Sequence, residues 1–166
     1  MGERPVGGMT PVQETAMAKR TAGKLAPANS EGERPLLLDT HTLLWWLTDD
    51  PKLSKPARDA IADGERAVLV SAASLWEIAT KNRLGKLGEA DAFLADPIGI
   101  SSAEGFEPLP ITLPHALLSG GLDTDHRDPF DRMLMAQSLI DDLVLVSNEE
   151  PFDRVRHEGR GVKRLW

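Results

Sequence analysis

Five carboxylates stand where an α/β protein can use them. Asp39 follows the apolar run Leu36-Leu37-Leu38, Glu77 lies in SLWEIATK, Asp128 and Asp131 lie in HRDPFDR, and Glu149 follows LVLVSN. Each has an ordinary role open to it. Asp39 and Asp128 suit helix N-caps, Asp131 suits the first turn of a helix, Glu77 can pair with Lys81 one turn on, and Glu149 can be a solvated loop charge. Gathered at one edge of a sheet, however, such acids repel one another and raise the pKa of some members unless a divalent cation compensates. Carboxylate oxygens are hard ligands, so Mg2+ or Mn2+ is the matching ion. Two such ions about 3.5–4 Å apart can generate a hydroxide and stabilise the leaving oxygen of a phosphodiester, which makes phosphate chemistry the expectation. His126 and Arg127, just ahead of the helix that Asp128 would cap, are placed to touch a phosphate backbone.

Whether the acids meet depends on the elements around them. Leu36–Leu38 reads as a buried parallel strand, and Thr40 to Leu47 as a helix with Leu43, Leu44 and Leu47 on one side, closed by Asp49-Asp50-Pro51. Ser54 caps a second helix to about Ala62, and Ala67–Val70 is a second buried strand. Ser71 caps a helix from Ala72 to about Leu84, with Leu75, Ile78 and Ala79 inward and Gly85 as its stop. A short helix follows at 90–94. Phe106–Ile111 is a strand that Pro108 and Pro110 confine to an edge. After another short helix at 114–119, Asp128-Pro129 opens an apolar helix to about Ile140; Leu143–Val146 is a further strand and Val162–Leu165 a last one. Strands alternating with helices imply an α/β fold, with a mainly parallel sheet covered on both faces and right-handed crossovers. Ligands of such sheets collect beyond the carboxyl ends of the strands, which is where Asp39, Ser71 and 147–149 would lie. Trp45, Trp46 and Trp76, at helical positions, read as core or interface rather than as base-stacking platforms, and His41 as packing behind Asp39.

Composition narrows the classes. A chain of 166 residues is sized for one domain, here 35–166, after a leader at 1–34 that has no sustained apolar period and reads as disordered. The leader holds five basic and four acidic residues, so the rest, with fourteen basic and twenty-two acidic, is more acidic than the whole at −7. Bulk positive charge therefore does not hold nucleic acid, and any such contact is local. Arg154, Arg156, Arg160, Lys163 and Arg164 make a small basic patch near the end. Zero cysteines exclude disulfides, thiolate zinc sites and cysteine nucleophiles. No GxGxxG, GxxxxGK[ST] or GxSxG occurs, which leaves dinucleotide enzymes, P-loop enzymes and serine hydrolases unsupported. Nothing reads as a membrane span or a signal peptide, so a cytoplasmic protein is expected.

LLLDTHTLLWWL, SLWEIATK, HRDPFDRMLMAQ and LVLVSNEEPFD resemble, in order, the four signature segments of PIN-domain proteins, specifically the VapC-type toxin ribonucleases of toxin–antitoxin pairs. The resemblance runs from Leu36 to the end of the chain. It implies a PIN fold, a three-layer α/β/α sandwich, that cleaves RNA with Mg2+ or Mn2+. By position, Asp39, Glu77, Asp131 and Glu149 match the family's four acids, and Asp128 is an additional acid that could replace Asp131 at the metal. Ser147-Asn148-Glu149 departs from the usual T-x-D: the extra methylene moves the Glu149 carboxylate outward by about 1.5 Å, so it reaches a second metal through water or not at all. The resemblance also implies a homodimer and a cognate antitoxin whose segment lies over the site. Two other readings stand beside it. One is a non-catalytic PIN module that binds RNA or a protein. The other is a haloacid-dehalogenase-like phosphotransferase, which LLLDTHT also resembles; against it, His41 replaces that family's second acid and no Lys lies between Lys86 and Lys163.

Overall fold

The structure, a computed structural model, describes residues 34–166. The expectation of a disordered leader thus falls, but for Arg34, outside the described residues. The elements run β1 (Leu36–Leu38), α1 (Thr40–Leu47), α2 (Lys55–Ala62), β2 (Val68–Ser71), α3 (Ala72–Arg83), α4 (Asp91–Ala95), α5 (Pro97–Ala103), β3 (Glu107–Leu109), α6 (Leu113–Gly121), α7 (Pro129–Ile140), β4 (Val144–Val146), β5 (Arg156–His157), β6 (Arg160–Gly161) and β7 (Lys163–Leu165). Five strands form one sheet in the order β3-β2-β1-β4-β7, and every pairing in it is parallel. The two prolines around β3 are tolerated because β3 is an edge strand and need not donate outward.

Side chains alternate across a strand, and β1 shows what that does for the core. Leu36 and Leu38 point into a cluster with Leu43, Trp46, Ile61 and Ile78 of α1, α2 and α3. Leu37 points the other way, toward Leu134, Met135 and Leu139 of α7. The sheet is therefore covered on both faces, and its central strands are apolar throughout because neither face meets water. This is a three-layer α/β/α sandwich.

Local chemistry sets the element ends. Ser54, Ser71 and Asp128 cap α2, α3 and α7 with their side-chain oxygens, and Gly85, at φ +70°, takes the left-handed turn that ends α3. The elements α5 and β5–β6 were not legible in advance. In the hairpin, Glu158 and Gly159 both adopt positive φ (48° and 78°), the conformation a two-residue turn between twisted strands requires. Glutamate is an uncommon first residue for such a turn, which hid it.

Candidate active site

Strand order reverses at β1. The chain moves outward from β1 to β2 and β3, then returns to lay β4 on the other side of β1, so a crevice opens beyond the carboxyl ends of β1 and β4. Asp39 sits there. Its backbone N–H donates to the Val146 carbonyl at 3.1 Å. Its Oδ1 accepts from the Thr42 N–H at 2.7 Å, which makes it the N-cap of α1. The Thr42 hydroxyl donates to the same Val146 carbonyl at 2.9 Å, fixing the start of α1 to the end of β4. Only 3% of Asp39 is exposed. Burial pushes its carboxyl above the usual range, against hydrogen bonds from Ser147 and Thr42 that favour the charged form.

Glu77, likewise 3% exposed, comes from the second turn of α3. The Thr40 hydroxyl, next to Asp39, donates to its Oε2, and the Lys81 ammonium donates to its Oε1. Burial pulls the Lys81 ammonium down, but the Glu77 hydrogen bond and charge, with the fields of Asp128 and Asp131, hold it above its ordinary value. Lys81 therefore touches Glu77 and lies in the field of two further carboxylates. Asp131 is pushed up to about 6: burial is the chief cause, a bond to His126 opposes it, and the charges of Asp128 and Glu77 add to it. The His126 ring holds Asp131 in place, with Nε2 2.6 Å from Oδ2, and meets Phe152 edge-on. Asp128 caps α7 through one oxygen, which accepts from the Phe130 N–H at 2.8 Å and the Asp131 N–H at 3.4 Å.

The ordinary and the chemical roles of these acids thus coexist. Glu77, Asp128 and Asp131 share one field around Lys81, and Asp39 lies beside them through Thr40. As the side chains lie, however, no three His, Asp or Glu among the described residues form a group that could grip one ion. Each acid is engaged by a protein donor instead. Glu149 is half-buried just ahead of the 3-10 turn that follows β4, its N–H donating to the Ser147 hydroxyl at 3.0 Å. Arg127 is exposed. His126 and Arg154 line a cleft of about 410 Å3 together with Asp123 and Asp125. The donor set of carboxylate and hydroxyl oxygens, with Asp39 raised by burial and Asp131 by burial and repulsion, suits a hard divalent cation, which would relieve both effects.

Trp46 is core, as its helical position led one to expect, donating from Nε1 to Glu104 at 2.8 Å. Other expectations need correction. Trp76, by contrast, is 60% exposed, because the apolar side of α3 is carried by Ala73 and Ile78. Ala79 is exposed for the same reason. His41 is exposed and stacks on Trp45 rather than packing inward. The basic patch is partly engaged: Arg164 forms a two-pronged pair with Asp153, and Lys163 pairs with Asp142.

Two supporting residues escaped the sequence analysis. Gln137, fully buried in α7, accepts from the Ser71 hydroxyl at 2.7 Å and donates to the Pro110 carbonyl at 3.2 Å, tying α7 to the cap of the helix that carries Glu77. Arg132 donates to the carbonyls of Ser119, Gly120, Leu122, Thr124 and His126 at 2.7–3.3 Å, so it shapes the loop that presents His126. A polar residue amid the apolar run of α7 was the signal for Gln137. Nothing local marks Arg132, whose acceptors are main-chain atoms.

No curated protein matches the chain. Among solved structures, it is similar to DNA-bound VapBC from Salmonella typhimurium, at 20% identity and a TM-score of 0.56 over 80% of this chain and 98% of that one. It is also similar to VapBC2 from Rickettsia felis bound to a promoter DNA fragment, at 14% identity and a TM-score of 0.50 over 78% and 97%. At these identities the likeness is one of fold. The PIN domain family model matches residues 36–158, from β1 through α7 and β4 to the turn of the β5–β6 hairpin, and on that match the chain belongs to the PIN domain family.

Proposed function

We propose that the protein is a VapC-type toxin: an Mg2+- or Mn2+-dependent endoribonuclease held in check by a cognate antitoxin. The observation that carries this reading is the shared field of Glu77, Asp128 and Asp131 beside buried Asp39, at the strand-order reversal of a PIN domain. Asp39, Glu77 and Asp131 would hold the ion. Glu149 would join through water, and Asp128 would remain the cap of α7. When bound, the ion supplies the Lewis acidity that lets water attack a phosphodiester at neutral pH and that stabilises the leaving oxygen. The chain does the rest. Ser147 and Thr42 favour the charged form of Asp39 against its burial, and His126 orients Asp131. Arg127, exposed on the same loop, is set to meet the RNA backbone. Lys81 pairs with Glu77 and neutralises part of the cluster.

The partners follow from the same reading. The structural neighbours are VapBC complexes, which supports an antitoxin partner here. Leu113 and Leu117, one turn apart on α6 and 87% and 81% exposed, form an apolar strip suited to a homodimer contact. No helix among the described residues is long and apolar enough to cross a membrane, in keeping with action on cytoplasmic RNA.

The test is cleavage of a structured RNA by the purified protein with Mg2+ or Mn2+. The expected result is cleavage that EDTA abolishes and that Asp39→Asn lowers at least about 100-fold, as loss of an ion-holding carboxylate does. RNA binding without cleavage would indicate a non-catalytic module, and phosphate transfer onto Asp39 a phosphotransferase.

A further inference from the structure

We propose that Trp76 and Phe130 form a shelf on which an unpaired base of the RNA stacks next to the scissile phosphate, so that the substrate is single-stranded at that point. The inference rests on the ribonuclease reading above and adds how the substrate is gripped.

Trp76 immediately precedes Glu77 on α3, and Phe130 immediately precedes Asp131 on α7. Consecutive Cα atoms are about 3.8 Å apart, so each ring is rooted beside an acid of the cluster. The two helices pack together, and the rings meet edge-to-face, with centroids 4.9 Å apart and planes at 80°. In that geometry one ring gives its edge and the other a face. Whichever part the indole takes, it keeps at least one face that Phe130 does not cover. Phe130 is half-buried and anchors the pair, whereas 60% of Trp76 remains in solvent.

The occupant is argued from what surrounds the ring. Among the described residues the exposed large apolar side chains are Trp76, Leu84, Ile98, Leu113, Leu117 and Ile140, and Trp76 alone of these is aromatic. A peptide is served by any of the aliphatic positions, while a base is served by a flat π face, which all four bases can use. Two cations stand near it in the chain: Lys81 five residues along α3, and Arg127 three residues ahead of Phe130. An aromatic face rooted beside the acid cluster matches a base and its neighbouring phosphodiester. Sequence-tolerant recognition of unpaired RNA by stacking also fits an acidic protein that cannot hold a duplex by bulk charge.

The test uses the full-length protein with a short fluorescein-labelled single-stranded RNA in Ca2+, a hard cation offered in place of Mg2+, with binding read by anisotropy. A matched series of RNAs carries one abasic position at each site in turn. Trp76→Ala is expected to weaken binding about tenfold or more, with Trp76→Phe close to wild type and Trp76→Leu close to Trp76→Ala. One abasic position is expected to weaken wild-type binding to a similar degree and to have little further effect on Trp76→Ala. Circular dichroism checks that the variants fold. Unchanged affinity in Trp76→Ala, or Trp76→Leu binding as well as Trp76→Phe, would overturn the shelf. So would a loss of affinity confined to an antitoxin segment, which would make Trp76 a protein-docking residue. If the wild type cleaves RNA while Trp76→Ala binds and cleaves equally well, the shelf fails and the ribonuclease stands. If the wild type neither binds nor cleaves RNA with any divalent ion, the ribonuclease reading fails and takes the shelf with it.

Discussion

Asp131 shows at the scale of one residue what burying an acid costs the fold. Its carboxyl titrates near 6 in the folded protein, mainly through burial, against an ordinary 3.8. A group raised in this way contributes its full stability below about pH 3.8 and loses it as pH rises through about 6, because the folded state binds the proton more tightly than the unfolded chain. In EDTA, Asp131→Asn is therefore expected to be more stable than wild type at pH 8, by about 2 kcal/mol after allowing for partial solvent screening, and no more stable at pH 4. Denaturant midpoints of both proteins across that range check this; a difference that stays constant with pH would falsify it. Asp39 is shifted in the same direction for the same reason. The residue types alone gave the candidates, since hard oxygens at strand ends are visible in sequence. That Lys81 answers three acids rather than one was not visible, because two of the three lie on another helix.

At the scale of the element, α7 does the positioning. Its first turn supplies the cap Asp128, the acid Asp131 and the anchor Arg132; its middle supplies Gln137. Arg132 donates to five carbonyls, two in the last turn of α6 and three in the segment between α6 and α7, and its planar fork is what allows one side chain to meet so many. Arg132→Leu leaves those acceptors without their charged donor and is expected to cost about 2–4 kcal/mol. Hydrogen exchange should rise first at residues 119–126, and Arg132→Lys should restore only a small part. Uniform loss of protection across α7 and the sheet, with no excess in that loop, would show that the arginine supports the core rather than the loop. The caps and ends of α1, α2, α3 and α7 were legible because capping depends on residues one to three positions apart. The short α5 and the β5–β6 hairpin were not, since neither has enough length for a period to emerge.

At the scale of the whole molecule, the exposed strip of Leu113 and Leu117 is the feature that a lone protomer leaves unexplained. If it is the dimer contact, Leu117→Lys should shift the protein toward monomer in sedimentation at micromolar concentration, with its melting temperature no longer depending on protein concentration. An unchanged mass would move the contact elsewhere on the surface. The order of strands and helices, the apolar central strands and the edge placement of β3 were written in the chain, because burial on both faces leaves continuous apolar runs and prolines are admitted only at edges. Sequence also supplied the acids, since their chemistry travels with residue type. Tertiary structure alone decided the rest of their company: Thr40 on Glu77, the fields of Asp128 and Asp131 at Lys81, and Ser147 beside Asp39. Those partners come from different strands and helices, and a contact between distant parts of a chain is set by how layers pack, which no local pattern encodes.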